Sequence, residues 1–136
     1  MPRILAFDYG GKRTGLAVTD PMKIIATALQ TVDTDKLLDF VIAYCKKEEV
    51  EAFVLGQPFR LDGRPSDIEA EILKFIEKLK VEFPQMPIHR VDETFTSKIG
   101  MQTLIASGVK KKDRKDKRLL DSVSATLILQ DFLQQS

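Results

Sequence analysis

The sequence predicts an α/β fold: a mixed five-stranded sheet with an antiparallel hairpin meander and helices on both faces. Three observations carry this. Two short alternating strands flank a YGGKR turn near the start, later apolar runs are separated by helical periodicity, and turn signals punctuate each change. The order read along the chain is strand, strand, strand, helix, strand, helix, strand, helix, helix.

Ile4 to Asp8 and Thr14 to Thr19 read as the hairpin, with Leu16 and Val18 alternating against small or polar neighbours. Between them, Asp8 is positioned to open a turn and Gly10-Gly11 to supply positive φ for a tight reversal. After Asp20-Pro21, the run IIATALQTV extends the meander as a third strand. Asp33 or Thr34 is then suited to cap a helix reaching about Glu49, with Leu37, Leu38, Val41, Ile42 and Cys45 on one face. AFVLG at 52–56 has the continuous apolar character of a buried parallel strand.

The segment QPFRLDGRPS reads as a long exposed loop, followed by a helix faced by Ile68, Ile72, Phe75, Ile76 and Leu79 and stopped by Pro84 and Pro87. IHRV makes the fifth strand and leads into Asp92-Glu93. Thr96 or Ser97 caps a further helix that Gly108 ends, and LLDSVSATLILQDFL forms the last one. In that last helix Ser122, Ser124 and Ala125 are small enough for close approach to a neighbouring surface.

At 136 residues, 43% hydrophobic and 30% charged, the chain has the size of one domain, 1–136. It shows no membrane-span run or signal-peptide pattern, so a cytoplasmic location is the expectation. Cys45 is the only cysteine, which excludes an internal disulfide and leaves no cysteine pair for zinc; it reads as a core residue. The only histidine, His89, lies inside a strand and reads as structural, which leaves Ser, Cys and His nucleophile schemes without support.

If the strands beginning near Ile4, Ala52 and Ile88 run parallel, their C-terminal ends share the edge where open α/β sheets bind ligands. Asp8 and Asp92-Glu93 then share that edge, and Asp121 joins them if the last helix packs on the sheet with its small face inward. Such carboxylates repel one another, and a cluster of them suits a hard cation. Mg2+ or Mn2+, one or two ions, held by Asp8, Asp92, Glu93 and Asp121, would serve phosphodiester hydrolysis by direct attack of water. The alternative at Asp8 is a purely structural turn.

The run KKKDRKDKR at 110–118 has seven basic and two acidic residues and leaves the remainder of the chain net acidic. Lys110, Lys111, Lys112, Arg114 and Lys115, with Lys12 and Arg13 of the hairpin turn, are candidates for binding nucleic-acid phosphates; the alternative is a solvated loop. Tyr9 and Phe95 beside the carboxylates are suited to stack on a splayed base, or else to pack in the core.

With these residues assembled, the sequence resembles the YqgF family, also called RuvX, of Holliday junction resolvase-like proteins in the ribonuclease H-like superfold. The resemblance rests on four motifs in order: DYGGKRTGLAVTD, GQPFRLDG, DETFT and DSVSATLILQ. It implies a metal-dependent nuclease with Asp8, Glu93 and Asp121 at the family's acidic positions. The implied substrates are structured nucleic acid, either a pre-16S ribosomal RNA processed at its 5′ end or branched DNA. The protein would act as a monomer or homodimer without a membrane partner. Thr94 stands where the family carries arginine after Asp-Glu, and Gln57 where G-x-P carries an aliphatic residue.

Two other function classes fit parts of the pattern. A nucleic-acid or ribosome-associated binding module would keep the fold without turnover. A nucleotide-binding enzyme of the actin and sugar-kinase kind would use the glycine hairpin on phosphate, but the chain has no room for the second lobe and G-G-K-R-T lacks P-loop spacing.

Overall fold

The computed structural model describes residues 2–59, 62–92 and 117–135. Five strands form one sheet: β1 (Arg3–Asp8), β2 (Arg13–Thr19), β3 (Ala26–Asp33), β4 (Val50–Gln57) and β5 (Ile88–Asp92). Their spatial order is β3-β2-β1-β4-β5. β1 pairs antiparallel with β2 and β2 with β3, whereas β1, β4 and β5 run parallel. The parallel strands therefore end together at Asp8, Gln57 and Asp92, as the sequence predicts.

Alternation along the strands sorts side chains into two cores. Leu5, Phe7, Leu16, Val18, Phe53 and Leu55 pack on one face with residues of α1 (Leu37–Lys47) and α2 (Glu69–Glu82). Phe7 makes edge-on ring contacts with Phe53 and Phe75, at centroid distances of 5.7 and 6.0 Å, that join the sheet to α2. On the other face, Ile4, Ala6, Ala17, Ala52, Val54 and Val91 meet Ala125, Ile128 and Leu129 of α3 (Lys117–Gln135). Three alanines on that face let the helix lie close. Burying Leu129, which is fully enclosed, contributes about 2 kcal/mol.

Four details differ from the sequence expectation. Gly10 and Gly11 do not have positive φ; the only glycine with it among the described residues is Gly63, at +88°. Gly10 is required for a different reason, since a Cβ there would collide with the Arg13 carbonyl oxygen. Neither Asp33 nor Thr34 caps α1 with its side chain. The Thr34 hydroxyl donates instead to the Gly10 carbonyl at 2.6 Å and meets the Thr14 hydroxyl at 3.0 Å, while its amide donates to the Lys12 carbonyl. A 3-10 turn at Thr34–Lys36 thus ties down the β1–β2 turn and delays the α-helix to Leu37.

The third strand also starts later than IIATALQTV implied. Asp20 accepts the amides of Met22, Ile24 and Ile25, which holds Ile24 and Ile25 in the connection before β3. These backbone amides lower the Asp20 pKa by favouring its charged form. Finally, α1 ends at Lys47 and β4 begins at Val50, two residues earlier than AFVLG alone indicated. The expected helix between Thr96 and Gly108 lies outside the described residues.

Candidate functional site

The edge formed by the ends of β1, β4 and β5 acquires a roof from α3. Asp8 and Gly15 are Cα partners across the β1–β2 pair. Gly15 lies beneath the start of α3, where an added Cβ would collide with the Asp121 carbonyl oxygen and the Ser122 amide nitrogen. Glycine at this position permits the helix backbone to touch the strand. Asp8 follows Ile4 and Ala6 on the face that α3 covers, so the register brings residues 8 and 121 to one corner of the fold.

Ser122 and Ala125 face inward as predicted, being 8% and 0% exposed, whereas Ser124 is only half-buried. Asp121 is itself half-buried, and Arg13 Nε donates to its Oδ2 at 3.1 Å. Arg13, expected to meet substrate phosphate, is therefore held by a carboxylate of the same edge. Lys12 at the neighbouring turn is exposed.

Asp92 ends β5 and is exposed. Its parity is that of Arg90, on the α2 side, whereas Val91 packs on the α3 side. Alternation thus assigns Asp92 and Asp8 to different faces of the sheet. Glu93, the basic residues Lys110, Lys111, Lys112, Arg114 and Lys115, and Phe95 lie outside the described residues.

Among the described residues, no group of three His, Cys, Asp or Glu side chains is placed to hold a metal ion. Asp8 and Asp121 supply two carboxylates, a donor set compatible with Mg2+, which binds through one or two carboxylates while retaining waters and substrate oxygens. Cys45 does not provide a nucleophile, because burial pushes its thiol up to about 11. His89 tilts against Phe132 at 4.9 Å between ring centroids, away from the carboxylate corner. Tyr9 packs on Phe75 at 5.5 Å and lies on the opposite face from Asp8.

Sequence reasoning missed a polar network beside this edge. Arg90 donates through Nη2 to Glu69 Oε1 at 2.6 Å and to the Gly56 carbonyl at 2.9 Å, and through Nη1 to Glu69 Oε2 at 3.2 Å. Gln57, the departure within G-x-P, donates more weakly to Glu69 Oε2 at 3.4 Å. The network joins the ends of β4 and β5 to the first turn of α2. Its sequence signal was an arginine between Ile88 and Val91 in a short strand, with a glutamate in the first turn of the preceding helix.

Comparison with known proteins adds the family context. The sequence profile described as RuvX, Holliday junction resolvase, matches residues 2–135. A relative from Christiangramia forsetii named "Putative pre-16S rRNA nuclease" is 51% identical over 135 residues, covering 99% of this chain and 100% of its own length. A Flavobacterium psychrophilum relative of the same name is 52% identical over 133 residues, covering 98% of this chain and 97% of its own. T. thermophilus RuvC, solved in complex with a Holliday junction substrate, shares the fold with a TM-score of 0.61 at 15% identity; the match covers 100% of this chain and 97% of that one.

Proposed function

The chain belongs to the RuvX family of Holliday junction resolvases, and on that premise we propose that it is a metal-dependent nuclease hydrolysing phosphodiester bonds in structured nucleic acid. The observation that carries this reading is the backbone contact between Gly15 and Asp121, which seats a second carboxylate over the strand that pairs with Asp8. Glycine at position 15 brings the α3 backbone at Asp121 onto the strand position paired with Asp8.

In this proposal Asp8, Glu93 and Asp121 hold Mg2+ or Mn2+, with Asp92 as the neighbouring acid of its pair. Its parity with Arg90 makes Asp92 the lesser contributor. When bound, the metal supplies a water nucleophile and stabilises charge on the phosphate. Arg13 neutralises part of the repulsion between Asp121 and Asp8. Lys12 and the basic run at 110–118 attract the polyanion and position its phosphates without reading sequence.

The relatives' shared name supports a ribosomal RNA precursor as substrate, whereas the family description supports branched DNA. Purified protein assayed on a pre-16S 5′ fragment, a four-way junction and single strands, each with Mg2+, Mn2+ or chelator, separates these substrates. Cleavage that disappears with chelator and with Asp8→Asn supports the nuclease reading. Binding without cleavage in either metal would assign a binding module instead.

A further inference from the structure

An open cavity of about 330 Å³ lies across the sheet from the carboxylate corner. Its aromatic wall is formed by Tyr9 and Phe75, and its rim includes Asp35, Glu71, Lys74 and Lys78. The volume lies at the small end of ligand pockets. None of those four charged residues forms an ion pair among the described residues, although Glu71 and Lys74 stand three apart on α2. The cavity therefore presents rings, acceptors and cations together.

Its position relates it to Asp8. Tyr9 follows Asp8 directly, and strand alternation sends the two to opposite faces. The turn between the faces is low at Gly11, where even a Cβ would meet only Ile68 Cδ1 and Glu71 Oε2, at 3.8 and 3.9 Å. A polynucleotide crossing this turn can place a phosphate at the Asp8 edge and an adjoining base on the Tyr9 side.

We infer that this cavity is a subsite for one nucleotide of the substrate strand and that guanine is its preferred base. The inference rests on the nuclease reading for its link to cleavage. Tyr9 offers a ring face to the base, and Lys74 and Lys78 offer cations to the phosphates. The carboxylates of Asp35 and Glu71 select the base. Guanine presents two adjacent donors, N1–H and N2–H, to one carboxylate, whereas adenine and cytosine present one amino group and uracil flanks its donor with repelling carbonyls.

The test is an NMR titration of the full chain with 5′-GMP, guanosine, 5′-AMP, 5′-UMP and inorganic phosphate. GMP is expected to shift the Gly11, Thr34 and Lys74 amides and to bind about tenfold more tightly than AMP, the equivalent of one charge-assisted hydrogen bond. Glu71→Gln should erase that preference, and the exposed double variant Lys74→Gln/Lys78→Gln should weaken GMP while sparing guanosine. No shifts at these amides, equal binding of the nucleotides, or the same shifts with inorganic phosphate would overturn the inference. The titration requires no turnover. GMP binding by a protein that cleaves nothing would refute only the nuclease reading, and cleavage without GMP binding would refute only the subsite.

Discussion

Gly15 and Asp121 meet backbone to backbone, the strand residue lying so close beneath the helix that a single added methyl group would collide with the Asp121 carbonyl oxygen. Gly15→Ala should therefore lift the start of α3 or bend β2, at about 2 kcal/mol in stability. Chemical denaturation measures the cost. Full stability in the variant would show that the helix can withdraw without penalty, and full cleavage would show that its seating is irrelevant to catalysis.

Arg13 faces a carboxylate where a phosphate was expected, so its removal has two opposing consequences. Arg13→Gln should weaken nucleic-acid binding, because a cation leaves the edge, yet leave Mn2+ affinity equal or higher, because Asp121 loses a competing counter-ion. Binding anisotropy and Mn2+ titration read the two effects separately. A parallel loss of both would mean that Arg13 chiefly shapes the carboxylate site.

Asp8→Asn, Glu93→Gln and Asp121→Asn remove charge with little change of shape. Each should reduce metal-dependent cleavage beyond the roughly 10–100-fold typical of an outer-shell metal partner. Asp121→Asn also breaks the half-exposed Arg13 pair and should lower stability by only about 0.5 kcal/mol. Cleavage rates and metal-free thermal unfolding are compared for each variant. If Asp8→Asn unfolds early but still cleaves, Asp8 is a turn residue.

The Arg90–Glu69 pair predicts an asymmetry between single and double replacement. Glu69→Ala strands a largely enclosed guanidinium and should cost about 3 kcal/mol, whereas Arg90→Leu with Glu69→Leu should recover much of that loss. Arg90 Nε already lacks a partner among the described residues, which limits what the pair contributes to stability. Urea midpoints for wild type, single and double variants decide it. A double variant no more stable than Glu69→Ala would contradict the argument.

The strands and the helices from Leu37 and Glu69 were legible because their signals are local: alternation, helical spacing, and proline or glycine at the ends. The carboxylate corner was legible in outline because strand ends and a small-faced helix restrict where acids can meet. What escaped was tertiary in origin. Thr34 had the chemistry of a cap, but the Gly10 carbonyl took its hydroxyl. Arg13 had the chemistry of a phosphate ligand, but the Asp121 carboxylate from the far end of the chain lay within reach. The face of Asp92 was not readable until Arg90 and Val91 established which side of the sheet each parity of β5 serves.

The docking of α3 over Gly15 also has a consequence in time. The sheet and its first core come from residues that precede 93, whereas α3 supplies Asp121 through contacts between residues far apart in sequence, such as Arg13 with Asp121, 108 positions apart. Loop closure over such separations delays contact formation. Catalytic competence should thus arrive after secondary structure during refolding, so that a chain with its strands already paired cannot yet cut nucleic acid. Stopped-flow circular dichroism run beside a quenched cleavage assay would resolve the lag, and simultaneous recovery of both signals would show that α3 docks as the sheet forms.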